Sequence, residues 1–119
     1  MSPALSPVET EQLRDLRARL NRVPKGALGD KSVGPLSKGF FVLAPRVGLA
    51  PQAGGAPNGT LGELRAAIAD ADLVRLKQIV GQLEALRGAD AKVWRPLFDA
   101  GVLQAVLTRR LVLGGKEQP

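Results

Sequence analysis

The sequence predicts a mainly α protein in three parts: an N-terminal amphipathic helix within residues 1–24, a long extended Pro/Gly-rich arm over residues 25–59, and a C-terminal domain of three to four short helices over residues 60–119. Two observations on the flanks point to helix. Apolar residues recur there at helical spacing, and capping sequences open the helical runs. A third observation separates the flanks. Val23 to Gly59 holds eight glycines and five prolines in 37 residues, a density at which no helix longer than a turn or two is expected.

The first helix starts at Ser6-Pro7-Val8-Glu9. Ser6 is placed to cap, Pro7 suits the first helical position, and Glu9 completes a capping box. The helix is expected to run to about Arg22 and to stop before Pro24. Leu13, Leu16, Leu20 and Val23 form a narrow apolar stripe that needs a partner, either the C-terminal block or another chain. Arg14, Arg17, Arg19 and Arg22 crowd the second half, where they complement the helix dipole. They read first as a solvated face and second as phosphate contacts.

In the middle segment Pro24, Pro35, Pro45, Pro51 and Pro57 each fix φ, remove a donor and push the preceding residue toward extended geometry. Ala44-Pro45, Ala50-Pro51 and Ala56-Pro57 recur every six residues, which favours a polyproline-like path. Fully extended, about 35 residues at roughly 3.1 Å each reach on the order of 100 Å. A plain linker in an Ala/Gly/Arg/Pro-rich chain explains most of this stretch. It does not explain Phe40-Phe41-Val42-Leu43, four consecutive apolar residues. They suit a strand added to a partner's sheet edge or anchors in a groove. They equally suit a clip folded back on the chain's own helices.

The C-terminal block opens on a second capping box, Thr60-Leu61-Gly62-Glu63, and a short helix through about Ala69. Asp70 and Asp72 offer caps for a longer helix to Arg87, stopped by Gly88. Leu73, Leu76, Ile79, Val80, Leu83 and Leu86 give that helix a wide core stripe. Gly81 lies inside it at a cost to helix stability, which marks a close approach of another backbone. Asp90 can cap Ala91 to Arg95, Pro96 is expected to break or re-start the helix, and Asp99-Ala100-Gly101 to turn. The last helix spans about Val102 to Leu113 and ends at Gly114-Gly115, after which Lys116–Pro119 is expected to fray. Trp94 and Phe98, four apart, either plug a helix junction or, if Trp94 is exposed, anchor an interface. The helix order from Thr60 to Leu113 is loosely similar to one armadillo-type repeat. It occurs once, and solenoids stack several units, so no family is read from it.

Composition narrows the function classes. The chain of 119 residues is one domain or less, and roughly 60 residues outside the first helix and arm make a marginal core that favours docking on something else. Cysteine and histidine are absent, which removes disulfides, thiolate sites, zinc fingers and the commonest general base. The net charge of +6 is a mild basic bias rather than a run. No apolar stretch is long enough to span a membrane, and the start lacks a signal-peptide pattern, so a cytoplasmic protein, or part of an assembly formed there, is expected. No phosphate-loop glycine pattern opens a helix, no serine has a histidine partner, and the carboxylates show no ligand spacing. No cofactor, metal or small-molecule ligand is indicated.

The expected function is therefore a non-enzymatic structural or adaptor protein that docks into a larger protein assembly through its extended arm and helix faces, for example as a virion component or a small subunit of a large complex. Leu13, Leu16, Leu20, Phe40, Phe41, Val42, Leu43 and Trp94 are the expected protein interface. The alternative is a small basic nucleic-acid-binding protein. It would use Arg14, Arg17, Arg22, Lys25, Lys31, Lys38 and Arg46, with Phe40 and Phe41 for base stacking.

Overall fold

The computed structural model describes residues 4–22, 30–52, 61–89 and 91–117. Six α-helices account for most of them: α1 (Pro7–Arg22), α2 (Asp30–Leu43), α3 (Leu61–Asp70), α4 (Leu73–Ala89), α5 (Ala91–Asp99) and α6 (Val102–Leu113), with one 3-10 turn, Ala44–Val47, after α2. No strand occurs among the described residues. The Cα radius of gyration is 13.4 Å, close to the roughly 13 Å of a compact 100-residue domain.

α1 begins as its sequence dictates. The Glu9 amide donates to Ser6 Oγ at 3.1 Å and the Ser6 amide to Glu9 Oε1 at 3.0 Å, so two donors that lack helical partners are satisfied reciprocally. Leu13, Leu16 and Leu20 are buried against α6 and α2.

α6 is the hub. It packs against α1, α3, α4 and α5, and none of its residues is fully exposed. Val102, Leu103, Val106, Leu107, Arg110 and Leu111 are its most buried positions. A helix that is apolar over so much of its circumference has to sit inside. Its end is a Schellman turn: the Lys116 amide reaches the Leu111 carbonyl at 2.9 Å, the Gly115 amide reaches Val112 at 3.0 Å, and Gly115 takes φ 72°.

Over the described part of the middle segment, residues 30–52, the expectation of an extended arm is corrected. Asp30–Leu43 is a helix with Pro35 inside it. Gly34 lacks the Cβ that normally clashes with a following proline ring in helical geometry. The remaining cost is met by burial, because Phe40, Phe41, Ala44, Val47 and Leu49 all enter the core. The chain then turns on Pro45 and on Gly48, at φ 80°, and crosses α4. There the Gln52 amide donates to the Lys77 carbonyl at 3.2 Å. A Cβ on Gly81 would overlap the Gln52 carbonyl, so the glycine marks a close backbone approach, as its position in a helical run implied. Residues 23–29 and 53–60, including the Thr60 cap and the third Ala-Pro pair, lie outside the described residues.

Two further boundaries differ from expectation. α4 continues through Gly88 to Ala89, and α5 passes Pro96 without a break. Trp94 and Phe98 lie one turn apart on the buried side of α5, and their shared burial keeps that helix continuous. Asp72 does cap α4, accepting the Arg75 amide at 2.7 Å.

Candidate functional site

The residues expected to form a protein interface are mostly core. Leu13, Leu16, Leu20, Phe40, Phe41 and Trp94 are each less than 10% exposed. Phe40 and Phe41 meet edge to face at 5.0 Å, Trp94 lies 5.9 Å from Phe41, and the Arg87 guanidinium stands 5.3 Å over the Phe41 ring. The Trp94 indole N–H donates to Ser37 Oγ at 3.0 Å, which satisfies both polar groups in a buried setting. Only Val42 is exposed, at 51%, and Leu43 is half-buried. The apolar stripe of α1 and the phenylalanine pair thus find their partner within the chain.

The expected basic contacts divide. Arg22, Lys38 and Arg46 are exposed. Lys25 and the Lys31 side chain lie outside the described residues. Arg14 and Arg17 are engaged by the segment that follows α6. The Schellman turn sends Lys116 and Glu117 back onto α1, where fraying had been expected. Arg17 donates from both terminal nitrogens to the two Glu117 carboxylate oxygens, at 2.7 and 2.6 Å, the fork geometry in which Arg binds carboxylate best. Thr108 Oγ1 accepts a further Arg17 donor at 3.1 Å. Arg14 donates to the Lys116 carbonyl at 2.8 Å and lies 3.4 Å from the carboxylate. Hydrogen bonding from Arg17, then the Arg14 contacts, hold the Glu117 carboxyl below the ordinary glutamate range, and the carboxylate raises Arg17 in return.

Beside this fork a groove runs across α6. One hollow of about 350 Å³ has Arg17 and Asn21 of α1 on one wall, Arg65 of α3 on the other, and Gln104, Ala105 and Thr108 as floor. A second, of about 310 Å³, shares Arg65, Ala105 and Thr108 and continues past Ile68 and Val112 to Arg109. Small side chains at positions 105 and 108 keep the floor low. Arg109 is held by its Nε–H to the Ala71 carbonyl at 2.7 Å. Arg65 is exposed and makes no hydrogen bond or ion pair with the described residues. The Gln104 Oε1 atom is buried without a hydrogen-bond partner among them. Asp99, at the rim, is paired to Arg95 at 3.0 Å.

The groove therefore joins an apolar stretch to three guanidinium groups, an arrangement suited to binding an anionic, partly apolar ligand. Among the described residues no cluster of three or more carboxylates gathers to hold a metal ion, and no helix is long and apolar enough to cross a membrane. Arg65, Arg109, Thr108 and Glu117 were not singled out from sequence. Glu117 had been assigned to a fraying end.

No protein-family model matches the chain, and no curated protein or solved structure is significantly similar to it.

Proposed function

We propose that this chain is a non-enzymatic adaptor that docks an acidic, amphipathic segment of a partner protein in the groove between α1 and α3. The observation that carries the proposal is the coincidence, in one groove, of an apolar floor (Ala105, Ile68, Val112) with three arginines (Arg17, Arg65, Arg109). A partner helix with leucines on one side and glutamates beside them matches both features. Such a protein suits a small subunit of a larger cytoplasmic assembly or a virion component. Of the two routes expected from sequence, the extended arm and the helix faces, this proposal keeps the helix faces, because Phe40 and Phe41 are committed to the core. The same burial removes the two rings that were the stacking candidates of the nucleic-acid reading and leaves that reading its basic residues.

The test is fluorescence anisotropy on the full chain at low salt. The probe is a labelled amphipathic peptide carrying leucine and glutamate, set against its glutamine counterpart and a single-stranded oligonucleotide of equal charge. The glutamate peptide is expected to bind and the glutamine peptide to bind weakly or not at all. Arg65→Gln should weaken binding about two- to fivefold, the effect of one exposed charge pair. An oligonucleotide that binds tighter than the peptide would move the function to nucleic acid.

A further inference from the structure

We infer that the Arg17 guanidinium is a receptor for a carboxylate of the partner, and that the chain's own Glu117 fills it in the free protein and is displaced on docking. This rests on the groove reading above and adds a binding contact and a built-in competitor to it. Three observations carry it. Glu117 shows directly what the fork accepts, a carboxylate held by two parallel bonds of 2.7 and 2.6 Å. Arg17 is at once the receptor and a wall of the groove, and Thr108, which fixes its plane at 3.1 Å, is part of the groove floor. A ligand in the groove therefore lies beside the fork.

The occupant is also reachable from solvent and is carried on a turn. The Arg17 and Glu117 side chains keep 23% and 22% of their surface in water. Glu117 follows a turn closed by two backbone bonds rather than a packed element. A partly exposed pair is stronger when bidentate, as here, so it yields only to a ligand that offers Arg17 an equivalent carboxylate. A partner carboxylate exchanges one charge-assisted pair for another, so the exchange is nearly neutral at Arg17, and the gain comes from Arg65, Arg109 and the apolar floor. Arg14, released from the Lys116 carbonyl, becomes available to a second acidic side chain.

The experiment compares the same glutamate peptide on the wild-type chain, Glu117→Gln, and the double variant Arg17→Gln with Glu117→Gln, each checked for an unchanged helical circular-dichroism spectrum. Glu117→Gln is expected to bind about two- to fivefold tighter, because the competitor has lost its charge. The double variant should cancel that gain. In the wild-type chain, saturating peptide should also shift the backbone amide resonances of Lys116 and Glu117, a readout that needs no variant. Wild-type binding that Glu117→Gln leaves unchanged, with those resonances unmoved, overturns the displacement and leaves the groove. An equal gain for the glutamine peptide overturns it too. No binding by either protein overturns the groove reading itself.

Discussion

Gly81 is the position at which one missing carbon does the most. It sits inside α4, where glycine costs roughly 1 kcal/mol relative to alanine. That cost is accepted because the Gln52 backbone occupies the space a Cβ would need. Gly81→Ala should therefore destabilise the chain by about 1–3 kcal/mol despite its better helix propensity, since backbone rather than a flexible side chain must move. Gly88, in the same helix, has nothing near its missing Cβ. Gly88→Ala should instead stabilise by a few tenths to about 1 kcal/mol. Denaturant titration of the pair separates packing from propensity. The role of Gly81 was readable in advance because an interior glycine has few reasons to persist in a core helix. The role of Glu117 was not, because its partner lies 100 residues away and spacing along a helix says nothing at that range.

At the scale of elements, local signals were reliable where the chemistry is local. The Ser6–Glu9 box, the Asp72 cap and the Gly114-Gly115 stop all lie where their side chains and φ preferences put them. α2 escaped the same reasoning. Its helix is opposed by Gly34, Pro35 and Gly39 and is stabilised by apolar contacts with residues distant in sequence, which only the folded chain brings together. This makes a testable difference. Pro35 is exposed and deprives the Lys31 carbonyl of a donor. Pro35→Ala should raise stability by about 1–2 kcal/mol, the recovered helix bond less the lost stiffness of the unfolded chain. A proline in an extended arm would give no gain, and a lower melting temperature in the variant would contradict α2. α5 teaches the same lesson on a smaller scale, since Pro96 was expected to break or re-start a helix that the burial of Trp94 and Phe98 carries through it.

At the scale of the whole molecule, two carboxyls among the described residues link stability to pH. Glu9, through hydrogen bonds from the Ser6 amide and hydroxyl, and Glu117, through Arg17 and Arg14, are both held below the ordinary value of 4.5. The folded state then binds fewer protons than the unfolded state around that pH. Their contribution is complete above about 4.5 and disappears as pH falls through the lower folded-state values. The melting temperature should hold level from neutrality to about pH 5 and decline below it. Glu117→Gln, measured over the same range, should show a shallower decline.

The position of α6 has a consequence for how the chain is made. Every ribosome delivers α1 first and α6 last of the six, and α1 packs against α6. At about 5–20 residues per second, the roughly 80 residues between them take on the order of 4–16 s to synthesise. For that interval Leu13, Leu16 and Leu20 have no hub to cover them. A core assembled around its latest-arriving helix leaves its earliest apolar surface open to chaperones, and to wrong partners, for most of the time of its synthesis.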